Sequence, residues 1–163
     1  VVQHAYGRPP ERERRVTRAV LDACAACGLR RIIVAPNSDR GHAGVLRAIR
    51  EHLRLAPRGE AVLHRSLPRD EFLRALAEAD VLVGNSSAGL LEAPFLGTPA
   101  VNVGERQKGR EPGGPGVIHA RESQSAIQAA IRTALRLRLK PGRAKVYGDG
   151  RAGSRIARKL AAV

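Results

Sequence analysis

The chain contains no methionine and no tryptophan, and only two tyrosines, two phenylalanines and two cysteines among its 163 residues. Without methionine it has no initiating residue, and it is expected to be a fragment or a domain cut from something longer, with a partner domain missing. Four aromatic rings are too few for a base-stacking platform, which argues against single-stranded nucleic acid as a ligand. No apolar run approaches 18 residues, so no membrane span is expected. Val1 and Val2 lead straight into polar residues, so no secretory signal peptide is expected either. Cys24 and Cys27 form a C-x-x-C, but redox motifs of that kind sit where a helix begins. Here the pair falls at a helix end, just before Gly28, and shares a helical face with Val16 and Val20. Both are therefore read as reduced core thiols, which suits a cytoplasmic protein. None of the five histidines makes a metal-ligand spacing with the cysteines or acidic residues, so neither a metal nor another cofactor is expected.

Acidic residues are also scarce, 15 against 29 basic ones, giving a net charge of +14. Only Lys108, Lys140, Lys145 and Lys159 are lysines; the other basic residues are arginines spread along the whole chain. A phosphate-rich partner is one reading of this excess. With abundant Ala, Gly and Pro, and no basic tail or recognition helix, a GC-rich genome writing Arg for Lys is the preferred one, and nucleic acid is not expected as a partner. The apolar fraction of 43% and charged fraction of 27% are those of a globular protein. The length suits a single domain with a real core.

The most informative stretch runs from Asp80 to Pro94. Residues 81–83 form a short apolar run typical of a buried strand. Gly84 breaks it, and Asn85, Ser86 and Ser87 are residue types that cap helices. A helix start offers unpaired N–H groups and about half a positive charge. With two serine hydroxyls as further donors, and Gly89 leaving room for a ligand, this is a phosphate site. Glu92 would repel bare phosphate but can accept hydrogen bonds from a sugar diol further out. Phosphate beside diol points to a nucleotide.

Elsewhere the pattern predicts strands over 1–4, 31–35, 61–64, 100–103 and 117–119. Helices are predicted over 11–27, 44–55, 68–78 (with Pro68 at the first position) and 123–138, with a last one starting near Ala152. Pro94 should bend the helix that begins at Ser86. A turn at Pro141 and Gly142 leads into Lys145-Val146-Tyr147-Gly148-Asp149-Gly150. Alternating apolar strands and helices predict an α/β fold, a parallel sheet with helices on both faces. Ligands of such sheets bind beyond the carboxyl ends of the strands. Those ends carry His4, then Pro36-Asn37-Ser38-Asp39, then His64 and Arg65, then Gly84 to Ser87, then Gly104 to Arg110. Arg106, Lys108 and Arg110 bring three cations toward the phosphate site, and Arg grips a diphosphate in bidentate fashion. His52 is read as a packing or surface residue, and His42 and His119 as lacking an identifiable partner.

Four segments together resemble a known family, the UDP-N-acetylglucosamine 2-epimerases, most closely the hydrolysing type that opens sialic acid synthesis. They are Gly84-Asn85-Ser86-Ser87-Ala88-Gly89 with Glu92, Gly104-Glu105-Arg106-Gln107-Lys108-Gly109-Arg110-Glu111, Pro36-Asn37-Ser38-Asp39, and Tyr147-Gly148-Asp149-Gly150. The family's His-Pro after the first strand reads His4-Ala5 here, and its Asp before Arg-Gln reads Glu105. The resemblance implies a Rossmann-like domain, one half of a GT-B two-domain architecture. Residues 1–163 would form a single UDP-binding domain whose amino-terminal partner is absent. It implies UDP-N-acetylglucosamine or UDP as ligand, with Ser86 and Ser87 on the diphosphate and Glu92 on the ribose diol. Arg106 or Arg110 would face the phosphate charge and Asn37 would line the cleft. His4 would be the catalytic residue of this half, reaching the diphosphate or moving a proton. The reaction implied is elimination of UDP followed by hydration to free N-acetylmannosamine, with the catalytic carboxylates in the absent domain and the isolated chain inactive. A non-hydrolysing epimerase and a GT-B glycosyltransferase share such a half, and a homo-oligomer is left open. The final helix, with Ile156 and Leu160 on one face, would cross to the missing domain.

Overall fold

The fold is drawn from a computed structural model, which describes residues 1–142 and 146–162. Lys145, the first residue of the Lys145–Gly150 stretch, lies outside the described residues.

Helix α1 (Pro10–Ala26) is followed by β1 (Arg31–Val34), α2 (His42–Leu55), β2 (Ala61–His64) and α3 (Arg69–Ala77). Then come β3 (Leu82–Gly84), α4 (Ala88–Leu91), α5 (Ala93–Leu96), β4 (Ala100–Val103), β5 (Val117–Ala120), α6 (Gln124–Ala134) and α7 (Ala152–Leu160). Two parallel groups, β2-β1 and β3-β4-β5, make up the paired strands. The segment expected as a strand over 1–4 is reduced to one bridging residue. Val2 bridges Val34 on one side and Gly84 on the other, both in parallel sense. The lateral order is therefore β2-β1-Val2-β3-β4-β5, and chain order reverses at Val2. Ligand crevices of open α/β sheets form at that kind of reversal.

Strand alternation assigns the helices to faces. Val83, Val101 and Val103 pack with Val16, Val20, Ile127 and Ile131 of α1 and α6. Ile33 and Ala5 pack with Leu21 of α1 and Val45 and Ile49 of α2. The intervening residues Val2, Leu82 and Ala100 point the other way, to Leu76 of α3 and to Leu90 and Ala93 of α4 and α5. Both faces of β3 and β4 are thus covered, as their apolar residues require, whereas Ile32 and Val62 on the outer face of β1 and β2 stay exposed. Cys24 lies in this core, and burial pushes its thiol up to about 11. Cys27 is half-buried, and both cysteines are free.

Several boundaries differ from the sequence expectation for local physical reasons. Gly84 does not break its strand but ends it, in register with Asn102. Its φ is 143°, and a Cβ there would lie 2.1 Å from the Val2 carbonyl oxygen. Pro94 divides the expected single helix in two: α4 stops at Leu91, Glu92 caps both halves, and Pro94 is the second residue of α5. Its missing N–H could not have continued the ladder. Pro68 precedes α3 as its N-cap rather than opening it. Helix α6 starts where Ser123 Oγ accepts from the Ala126 N–H, but stops at Ala134, four residues short of the expected end. Beyond it the chain drops so that Leu139 meets Gly116 and the Gly142 N–H reaches the Phe95 carbonyl at 2.7 Å. Helix α7 buries none of its residues, and Ile156 and Leu160 are exposed. Among the described residues no helix is long and apolar enough to cross a membrane.

Gly84→Ala is expected to destabilise the chain by about 3 kcal/mol or more, combining a steric clash with a disfavoured backbone. Gly59 also has positive φ but open space around it, so Gly59→Ala should cost only about 1–2 kcal/mol. Urea denaturation of the two variants checks the contrast.

Candidate functional site

The reversal at Val2 brings the first segment's end, His4, against the end of β3, and one residue stitches them together. The Asn85 N–H donates to the Val2 carbonyl at 3.2 Å, the last backbone rung. Beyond it the Asn85 side chain takes over. Its Oδ1 accepts from the His4 N–H at 2.7 Å and its Nδ2 donates to the His4 carbonyl at 2.8 Å. The Asn85 carbonyl in turn accepts from Gln107 Nε2 at 2.7 Å and from the Arg106 guanidinium at 3.2 Å. Asn85 is 1% exposed and Gln107 5%, so these are bonds in a low-dielectric setting, where each is hard to replace.

The loop after β1 completes the rim. The Asn37 N–H donates to His4 Nδ1 at 3.1 Å, and Asn37 Nδ2 donates to Asp39 Oδ2 at 2.6 Å. Arg106 stands 3.8 Å from the same Asp39 oxygen. His4 is pushed below its ordinary value, first by burial and then by the Arg106 charge, with Asp39 opposing. The ring is neutral near pH 7. Because Nδ1 accepts, the proton sits on Nε2, and His4 is a hydrogen-bond donor toward the rim.

Ser86 and Ser87 follow directly and are half-buried rather than sealed. Ser86 Oγ accepts a 3.3 Å bond from the Ala88 N–H, which leaves its hydroxyl proton free. Among the described residues the N–H groups of Ser86 and Ser87 have no acceptor. Helix α4 has only four residues, so the expected half-charge of a helix start shrinks. The donors are the two N–H groups and two hydroxyls themselves. Glu92 is tied to Arg69 of α3 at 2.6 Å, an exposed cation.

The structure therefore gathers His4, Asn37, Ser86, Ser87 and Arg106 at one rim. Glu92 lies a turn further along, at the junction of α4 and α5. Arg110 shares the Arg106 loop but is exposed, its main chain closing a turn on Gln107 at 3.2 Å. Sequence reasoning overlooked Asn85 as a junction, Gln107 as its buried partner, and Asp39 as the bridge between Asn37 and Arg106. An amide directly after a strand at the chain reversal was the available signal. It also left His119 without partners, whereas that ring lies in β5 between Asn102 Nδ2 at 3.1 Å and the Pro112 carbonyl at 3.3 Å. His42 Nδ1 likewise meets the Asp39 carbonyl at 3.1 Å. Beside the rim, buried Glu13 and half-buried Glu122 are both gripped by Arg8, the shortest bond being 2.6 Å. A cavity of about 440 Å³ lies elsewhere, between α3 and the outer face of β1 and β2. Its walls are mainly apolar, and among the described residues Arg31 Nε, in that wall, is shielded with no hydrogen-bond partner.

The parallel order, the reversal and the donor-rich rim define a Rossmann-like domain of the kind that makes one half of a GT-B enzyme. The chain belongs to the UDP-N-acetylglucosamine 2-epimerase family, whose model matches residues 6–161. It is 35% identical over 138 residues to the UDP-N,N'-diacetylbacillosamine 2-epimerase (hydrolyzing) of Legionella pneumophila, covering 85% of this chain and 35% of that one. It is 34% identical over 106 residues to the UDP-N-acetylglucosamine 2-epimerase of Neisseria meningitidis, covering 65% of this chain and 27% of that one. The chain thus spans about a third of the length of these relatives. Its fold superposes, with a TM-score of 0.67 and 16% identity, on the Methanocaldococcus jannaschii UDP-GlcNAc 2-epimerase solved with UDP-GlcNAc and UDP, covering 99% of this chain and 44% of that one.

The pH response follows from the histidines. Both His4 and His52 are held below 6.5, mainly by burial. Between that value and their lower folded values the unfolded chain binds more protons, so the histidines' contribution to stability is full above 6.5 and is lost as pH drops through the folded values. His4→Gln should flatten the loss of thermal stability between pH 6.5 and 5, measured by scanning calorimetry. An unchanged slope in that variant would refute the assignment.

Proposed function

We propose that this chain is the UDP-binding half, the carboxyl-terminal domain, of a hydrolysing UDP-N-acetylglucosamine 2-epimerase. The observation that carries the proposal is the set of unpaired donors converging at the switch point. These are the N–H and hydroxyl groups of Ser86 and Ser87, with Arg106 fixed beside them. In this reading the diphosphate rests on Ser86 and Ser87, and Arg106 faces its charge. Arg110 reaches it from the same loop once ligand is present. The His4 Nε2–H donates to a diphosphate oxygen rather than removing a proton, since the ring is neutral and Nδ1 is engaged. Asn37 lines the cleft. Glu92 receives the ribose diol, with Arg69 paired to it at 2.6 Å. The family reaction eliminates UDP across C1 and C2 of the sugar and then hydrates the product to free N-acetylmannosamine. Fixed dipoles and Arg aimed at developing charge are often the largest catalytic term, and this half supplies that part. The base belongs to the amino-terminal domain, so the isolated chain binds UDP weakly and turns nothing over. The uncovered face of α7, with Ile156 and Leu160, packs on that domain in the same reading.

Two hydrolysing diacetylbacillosamine epimerases among the relatives, one from Legionella pneumophila and one from Campylobacter jejuni, favour a second reading in which the sugar is a diacetylated bacillosamine. Assaying the whole enzyme with both nucleotide sugars separates the two. Free sugar plus UDP marks the hydrolysing reaction, and an intact UDP-sugar the non-hydrolysing one.

For the chain itself, calorimetric titration with UDP is the test. Ser86→Ala should lose about 1–2 kcal/mol of binding and Arg106→Ala about 1.5–3 kcal/mol. Absence of UDP heat at millimolar concentration would count against the proposal.

A further inference from the structure

The bonding around Asn85 has a chemical requirement that its neighbours do not share. Its side chain must accept from the His4 N–H and donate to the His4 carbonyl at the same time. A planar primary amide of this length does both. A carboxylate accepts only, and a hydroxyl is too short to span both groups. The pairing occurs where the backbone ladder has run out. After the Asn85–Val2 rung, β3 turns away into Ser86, and the amide supplies the next two bonds in place of backbone. The Asn85 carbonyl meanwhile carries Arg106 and Gln107. Three ligand-facing features hang on this residue: the His4 ring, the Arg106 guanidinium and the turn bearing Ser86 and Ser87. Asn85 itself is buried and faces none of the open rim.

We propose that Asn85 is the positioning residue of the diphosphate site, fixing through its amide where the His4 ring stands and through its carbonyl where Arg106 stands. The proposal rests on the UDP reading above and adds to it a claim of coupling. His4 and Asn85 should contribute to UDP binding as one unit, not as two independent groups. It also predicts that the His4 tautomer depends on Asn85. With the His4 main chain held, its Nδ1 meets the Asn37 N–H and the proton is confined to Nε2. With the main chain released, that registration is lost.

The test combines nitrogen NMR of the histidine rings with UDP titration of the full chain, comparing wild type, His4→Ala, Asn85→Ala, Asn85→Asp and the His4→Ala/Asn85→Ala double variant. Wild type should show His4 as the Nε2–H tautomer. Folded Asn85 variants should show a mixture of tautomers. Asn85→Ala should weaken UDP binding about tenfold, equivalent to about 1.4 kcal/mol. The double variant should bind within about twofold of Asn85→Ala, showing coupling of the kind expected for groups in contact. Asn85→Asp should weaken binding at least as much as Asn85→Ala, because it loses the donor and adds a charge that opposes the ligand. Wild-type tautomer and wild-type affinity in any folded Asn85 variant, or additive losses in the double variant, overturn the proposal. If wild type itself takes no UDP, the functional reading fails, and the tautomer comparison alone decides the positioning claim. If no Asn85 variant folds, the wild-type side-chain amide decides. Asn85 Nδ2 protons protected from solvent exchange support the proposal, and protons exchanging at the free rate overturn it.

Discussion

The two parts of the sheet meet along a seam one residue wide. Among the described residues Val2 alone bridges both β1 and β3, and its carbonyl passes so close to Gly84 that no side chain fits between them. Everything at the rim follows from that close approach. Because β3 runs hard against the first segment, Asn85 emerges beside His4 and can bond it twice. Because the chain reverses its lateral order there, α1, which follows the first segment, and α4, which follows β3, pack on opposite faces of the sheet, the arrangement that opens ligand crevices in such folds. A larger residue at position 84 would widen the seam and unseat the amide, so the stability of the core and the geometry of the rim share a single constraint.

Electrostatics at this rim are more economical than the net charge of +14 implies. Arg106 is not a loose cation on a mobile loop. It is tethered to the Asn85 carbonyl and faces Asp39, while Gln107 anchors the loop from inside. A guanidinium held before ligand arrives loses little side-chain freedom on binding, and preorganisation of that kind favours charge stabilisation over mere attraction. The neutral His4 fits the same logic. Placing a second full positive charge beside Arg106 in a half-buried setting costs free energy, and a neutral donor avoids it.

Much of this was legible in the chain. Short apolar runs between amphipathic helices gave the α/β order, and β2 and β4 were located to the residue. The rim was legible because parallel strands put every carboxyl end on one side, so His4, Asn37, Ser86 and Arg106 could be grouped without coordinates. What escaped was cooperative or steric. Asn85 looked like a helix cap because cap and crosslink use the same residue type, and which one forms depends on a segment 81 residues away. Gly84 looked like a strand breaker because the atom it accommodates belongs to Val2. Helix α6 kept its apolar pattern past Ala134, but Leu139 leaves the helix to cover Gly116. Lone histidines carry no periodic signal, so the partners of His119 in β4 and the following loop could not be inferred.

The pairing of carboxylates bears on what this half can do. Glu13 and Glu122 are both held by Arg8, Asp39 by Asn37 and Arg106, and Glu92 by Arg69. His4 Nδ1 is occupied as well. The groups left open at the rim are donors: two serine hydroxyls, two backbone N–H groups, an imidazole N–H and a guanidinium. Such a surface suits an anion that gains charge as a bond breaks. In the proposed epimerase this half would stabilise the leaving group while proton abstraction falls to the other domain, and closing the cleft would bring the two together.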